Sequence, residues 1–336
     1  LPAAERFSTI DGLLKNDFSG YPPAAFDSAW YKSIYDDHGW GGKHGEITDS
    51  IFSAGHHQAN AVAKQLLMKS LASISAGIKP AGKNAWIVFN DLSWKRNGLA
   101  TMMLPGNKAG WSVKDASGKP VISQATVKGD STMLQFMADS IPSIGYSSFY
   151  PVNKKTAAAQ RHTAISNYCE NDYYKIRFGR GGIASLYDKL PGKELLNTTR
   201  FAGGDVMDLG YNGNGAGEFT EITETNMRNF DKLSNHETTW ALIADGDLFS
   251  TFQADYLING VEIIQRVIVY HQEKRISFEY DIPDWKGVKN RQLRFALPVN
   301  AREASISYDV PMGVSTVGET ELKMKLNPDR EWQGQV

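Results

Sequence analysis

The chain has 336 residues, enough for two or three domains with cores of their own, and with 41% hydrophobic and 22% charged residues it reads as a globular protein, not a disordered one. Thirty-six basic against thirty-seven acidic side chains leave a net charge of -1, so no global field draws it to nucleic acid or to an anionic membrane surface. No apolar run reaches the roughly 18 residues needed to span a bilayer, and the single cysteine, Cys169, excludes an intrachain disulfide and a cysteine-built zinc or iron–sulfur site.

From Pro2 to about Ile78 the pattern is helical. The chain opens at Leu1 without a methionine and within that pattern, which suggests a processed chain or a piece of a longer polypeptide. Pro22-Pro23 starts a helix that carries Phe26, Trp30 and Ile34 on one face. Ile47, Ile51 and Ala54 begin the next, with Thr48 or Asp49 able to cap its first turn, and Leu67, Leu71, Ile74 and Ile78 continue it at helical spacing. Between these helices lies Tyr35-Asp36-Asp37-His38-Gly39-Trp40-Gly41-Gly42-Lys43-His44, a glycine-broken loop that concentrates histidine, carboxylate and aromatic groups in backbone able to approach a ligand closely. His38, His44, His56 and His57 do not have the His-Glu-x-x-His spacing of a helix-borne zinc site. His56 and His57, adjacent on a helix, diverge by about 100° and do not suit one metal.

Lys79-Pro80-Ala81-Gly82 ends the helical part, and the signal changes to short strands with glycine, asparagine and aspartate turns. Trp86 to Phe89, Met133 to Phe136 and Tyr146 to Val152 fit a small β-sandwich. A polar connector, Lys154 to Gln160, leads into a longer all-β region. There Ile276, Phe278, Tyr280 and Ile282 alternate with polar residues, and Val261 to Tyr270 reads as a strand packed on both faces. Tyr211 to Glu218 has three alternate glycines and runs into a strand pattern, so it reads as a surface loop and not as a dinucleotide loop. The expected fold is mainly β with an N-terminal α-helical segment: a helical bundle remnant over 1–80, a small β-sandwich over 81–155 and a large β-sandwich over 156–336.

The order of several segments resembles the second half of a glycoside hydrolase family 38 α-mannosidase. They are Tyr21-Pro22-Pro23 with Asp27 to Trp30, Asp37-His38-Gly39-Trp40-Gly41, Val88 to Arg96 with its Asn90-Asp91-Leu92-Ser93-Trp94, Gly145-Tyr146, Asn171 to Ile176, Gly182 to Lys189, and Tyr308-Asp309-Val310-Pro311-Met312-Gly313-Val314. The resemblance implies a large sandwich of the mutarotase-like kind and, elsewhere in the same polypeptide, an N-terminal catalytic barrel with an aspartate nucleophile. It implies a retaining, zinc-dependent hydrolase acting on α-mannosides of glycans. His38 matches the position of one zinc ligand, and Asp37 and Trp40 would line the same sugar pocket. In many family members that histidine follows a histidine and precedes an aspartate, whereas here its neighbours are Asp37 and Gly39. Retaining hydrolysis needs two carboxyl groups about 5 to 5.5 Å apart, and no such pair is assigned in these residues, so the chain alone is expected to be inactive.

Two other readings stand beside this one: a non-catalytic carbohydrate-binding or interaction module, and a complete hydrolase with its acid and base drawn from Asp205, Glu218 or Glu221. The expected partner is a mannose-containing glycan, with no nucleic acid and no membrane span. The compartment is open between exported and cytosolic, with periplasmic or extracellular favoured.

Overall fold

The computed structural model describes residues 1–34, 45–80, 82–153, 162–211, 225–283, 285, 291–301, 304–310 and 313–317. The fold is mainly β with a helical N-terminal segment, and it divides into two compact units, Leu1–Ala158 and Ala159–Val336.

The first unit begins with three helices, α1 (Pro2–Lys15), α2 (Pro23–Ile34) and α3 (Gly45–Gly77). Helix α1 starts at a proline, which loses nothing in the first turn because its missing N–H has no partner there. It stops at Asn16, whose left-handed φ of 54° lets its N–H close back on Gly12 and Leu13 carbonyls. Phe7, Phe26 and Ile74 are buried together with small residues, Ala4, Ala29, Ala59 and Ala63, which let the helix backbones approach closely. Two polar pairs tie α1 to α3: the buried Ser8 and Ser70 hydroxyls 2.9 Å apart, and Ser73 Oγ donating to Asp11 at 2.7 Å. Trp30 Nε1 donates to Glu5 at 2.9 Å, linking α2 to α1.

Seven strands follow: β1 (Trp86–Asn90), β2 (Arg96–Pro105), β3 (Ser112–Asp115), β4 (Pro120–Val121), β5 (Ser123–Lys128), β6 (Ser131–Ile141) and β7 (Gly145–Val152). They form two antiparallel sheets, β1-β7-β3-β4 and β2-β6-β5. Val113, Leu134, Phe136, Ala138, Ile141 and Phe149 fill the space between them. Asn90 has no exposed surface. Its amide donates to the Trp94 and Pro142 carbonyls while its oxygen accepts from Leu92 N–H, so the Asn90-to-Trp94 segment is a side-chain-built turn. Phe7 meets Phe89 edge-on at 5.5 Å, and Arg6 reaches Asp91, so the helices and the small sandwich are joined within one unit.

The second unit contains β8 (Thr163–Ile165), β9 (Tyr168–Glu170), β10 (Tyr174–Gly179), β11 (Gly182–Asp188), β12 (Lys193–Glu194), β13 (Asp205–Tyr211), β14 (Thr225–Lys232), β15 (Ala241–Ala244), β16 (Phe249–Ile258), β17 (Val261–Tyr270), β18 (Ile276–Asp281), β19 (Arg291–Ala296), β20 (Ser307–Val310) and β21 (Gly313–Thr316). The sheet orders are β12-β11-β10-β9-β8, β14-β13-β19 and β15-β16-β17-β18, with β20-β21 as a separate hairpin. Ile176, Ile183, Val206, Leu233, Phe252, Ile258, Ile263, Val267 and Val269 have no exposed surface and make one core. Strand β17 departs from the sequence expectation. Its odd positions from Val261 to Val269 are buried while Ile264, Arg266 and Ile268 are half-buried and Glu262 is exposed, so only one face is sealed. Its apolar run reflects a central place between β16 and β18, where even the outer face is partly covered. The turn at Gly182 requires glycine: a Cβ there would sit 2.3 Å from the Gly203 carbonyl oxygen.

Candidate functional site

Asp37, His38 and Trp40, nominated from the sequence, lie outside the described residues, as do His44, Glu218 and Glu221; the first group falls between the end of α2 at Ile34 and the start of α3 at Gly45. His56 and His57 are exposed on α3, and His57 Nδ1 hydrogen-bonds the Ser53 carbonyl one turn back at 2.7 Å.

Asp205 is fully buried. Its carboxylate accepts from Ser234 Oγ at 2.6 Å and from Ser234 N–H at 3.2 Å, with Ala202 N–H at 3.4 Å. Burial raises its pKa and these hydrogen bonds pull against that rise. The group braces the start of β13 and offers no face to a substrate.

Among the described residues, His162, Asp245 and His271 are the group of metal-ligand type, their ligand atoms all within 4.8 Å of one another. Local sequence carries no sign of it: the three residues are spread over more than a hundred positions and come together only because β8, the β15–β16 turn and the end of β17 stack at one end of the large sandwich. His162 Nε2 lies 2.9 Å from Asp245 Oδ1, and only 2% of the His162 side chain is exposed against 34% for Asp245. The His162 backbone carries the rest of that residue's exposure. Ser250 Oγ donates to the same Asp245 oxygen at 2.6 Å and stands 2.9 Å from His271 Nε2. The two imidazoles stack with centroids 3.8 Å apart and planes 12° apart.

The proton positions follow from Asn171. Its side-chain oxygen accepts from the Tyr173 and Tyr174 N–H groups at 2.9 and 2.8 Å, which leaves its NH2 to donate to the Tyr270 carbonyl at 2.8 Å and to face His271 Nδ1 at 3.4 Å. Nδ1 of His271 is therefore the acceptor and Nε2 carries the proton. The chain of donors runs from Asn171 to His271 to Ser250 to Asp245. Burial, with His162 next, pushes the His271 pKa down to about 4, while Asp245 acts in the opposite sense.

This arrangement does not fit a metal. An imidazole binds a cation in the plane of its ring at about 2.0 to 2.1 Å, and two nearly parallel stacked rings cannot both aim lone pairs at one point. A ligating histidine also donates its other N–H to an acceptor, whereas the His271 Nδ1 faces an amide donor. Nor does Ser250 serve as a nucleophile: it is fully buried, and the imidazole beside it presents a proton instead of a lone pair.

Residues 169–319 match the glycosyl hydrolases family 38 C-terminal domain. Among solved structures, the fold is similar to an alpha-mannosidase from Enterococcus faecalis V583, with a TM-score of 0.69 and 16% identity over 93% of this chain and 42% of that one. It is similar also to a protein in the glycosyl hydrolase family 38 from Enterococcus faecalis, with a TM-score of 0.71 and 15% identity over 93% of this chain and 45% of that one. The chain thus spans less than half the length of either structure. A search of curated proteins found no match.

Proposed function

We propose that this chain, which carries a glycosyl hydrolase family 38 C-terminal domain over residues 169–319, is the helical and β-sandwich portion of a retaining α-mannosidase-type glycoside hydrolase acting on α-mannosides of glycans. The observation that supports this beyond the family match is the apolar surface beside residues 35–44. Ile34 at the end of α2 is 71% exposed, and Ile47 and Ile51, four apart on α3, are 60% and 64% exposed. That spacing puts Ile47 and Ile51 on one helix face, so apolar side chains flank the stretch that holds Asp37, His38 and Trp40. Surfaces of this kind are usually covered by protein or ligand, and a further part of the same polypeptide, carrying the barrel, is the proposed cover.

Within this proposal His38 supplies one ligand to a zinc ion, with Asp37 and Trp40 in the sugar pocket; the support is their position in the family resemblance. Bound zinc would polarise sugar hydroxyls and stabilise charge as a template. Trp40 would stack on the apolar face of the sugar ring. The two carboxyl groups of retaining chemistry would come from the barrel.

The test compares this chain with the native polypeptide found through one of its peptides. The expected result is no turnover of an aryl α-mannoside by the 336-residue chain, with or without added zinc, and turnover by a longer native polypeptide. His38→Ala in the latter should lower both its zinc content and its activity. Turnover by the chain alone would overturn the proposal. A native polypeptide of this length that binds glycan saturably without zinc would replace it with the binding-module reading.

A further inference from the structure

His162 and His271 are held face to face at 3.8 Å beside the Asp245 carboxylate, and they belong to parts of the large sandwich that differ in how firmly they are fixed. His162 directly precedes β8, a three-residue strand at the edge of its sheet that pairs only with β9. His271 directly follows β17, which is paired along its length with β16 and over Ile264–Val269 with β18. Asp245, in the turn between β15 and β16, joins the two, directly to His162 and through Ser250 to His271.

We propose that His162, Asp245 and His271 form an acid-sensitive latch, which fastens the β8 edge to the end of the four-stranded sheet while at most one of the two rings is charged and releases it when both are. The latch is independent of the catalytic assignment above.

The geometry accounts for both states. With one proton added, the ring pair carries one positive charge and Asp245 one negative charge at hydrogen-bond distance. A second proton places two like charges in a stack that, among the described residues, faces one carboxylate, Asp245. It must also enter at His271 Nδ1, which faces the Asn171 amide, and that amide cannot turn over to accept because its oxygen already holds two backbone N–H groups. The charges that act on His271 are those of His162 and Asp245. On β9, Cys169 is buried and shares the field of Asp245 and Glu170, its thiol pushed up to about 12, so it stays neutral throughout. Ser250, Asn171 and the Tyr270 carbonyl are uncharged. When the stack is forced apart, the weaker attachment yields, and three residues at a sheet edge are weaker than a ten-residue strand with a neighbour on each side.

Amide hydrogen exchange, corrected for the intrinsic pH dependence, tests this on the whole chain. Between pH 7 and pH 4 the protection of those amides of Thr163–Ile165 that pair with β9 should fall by about tenfold or more while that of Ile263 and Val267 on β17 stays constant. His162→Gln, which keeps a donor for Asp245 but cannot be charged, should abolish the fall. If that variant does not fold, the imidazole proton signals of the unaltered chain give the same answer: His271 should titrate in step with the loss of β8 protection. Constant β8 protection down to pH 4, a fall shared equally by β17, or an unchanged fall in His162→Gln would overturn the latch.

Discussion

The three helices leave Leu13, Leu14, Ile34 and Ile51 more than half exposed, whereas the large sandwich holds Ile176, Val206, Phe252, Ile263 and Val267 at zero exposure. The difference is one of closure. The sheets of the sandwich share one core of seventeen buried side chains, although Leu190, Leu257 and Leu297 of the same unit are 60% or more exposed. The helices cover one another with alanines and a few large side chains, and their remaining apolar groups point outward. A region of the first kind can be stable alone; one of the second kind gains stability from whatever covers it.

The largest effect should come from opening the closed core. Phe252 lies between Phe178 at 4.3 Å and the rest of the core with no exposed surface. Phe252→Ala should lower the stability of the second unit by about 4 kcal/mol, read as a shift of the urea midpoint. Next is the buried ion pair between β13 and β19. Arg291 Nε donates to Asp208 Oδ1 at 2.9 Å and a second guanidinium nitrogen reaches the other carboxylate oxygen, to which Asn259 also donates at 2.6 Å. Arg291→Ala strands a carboxylate whose side chain is 1% exposed. It should cost about 3 kcal/mol, while Asp208→Asn with Arg291→Gln, which removes both charges, should cost less.

The third effect depends on pH. His271 is held neutral in the fold, with its pKa lowered to about 4 from the ordinary 6.5, so the unfolded chain takes up its proton first as pH falls. Stability from this group is therefore complete above pH 6.5 and is lost on the way down to about pH 4, by up to about 3 kcal/mol. Urea titrations at pH 7 and pH 4.5 should differ in that sense, and His271→Gln should flatten the difference.

Much of this fold was legible in the sequence because its signals are local. Helical spacing from Pro2 to Ile78, the break at Pro80 and the alternation from Ile276 to Ile282 each depend on neighbouring residues. Strand β17 was misread because an apolar run does not distinguish two sealed faces from one sealed and one half-covered. The stretch 35–44 stood out because its histidines, carboxylates and aromatic are adjacent in the chain. The His162–Asp245–His271 group could not stand out. Each residue looks like a surface polar group in its own segment, and only the stacking of three turns at one end of the sandwich brings them together.

The smallest effect on stability is the sharpest test of the comparison. Leu14 is 69% exposed and Ile51 64% exposed. Leu14→Ser and Ile51→Ser should each change the stability of this chain by less than about 0.5 kcal/mol, since they remove no buried contact. In a longer polypeptide where those side chains are covered, the same changes should cost about 2 kcal/mol or more, because burial of a leucine or isoleucine is then lost. The contrast between the two backgrounds, measured by thermal unfolding of each, separates an outward surface that is merely tolerated from one that another part of the protein is built to cover. Equal and small effects in both would place the helical segment among ordinary exposed surfaces and leave closure as a property of the sandwich alone.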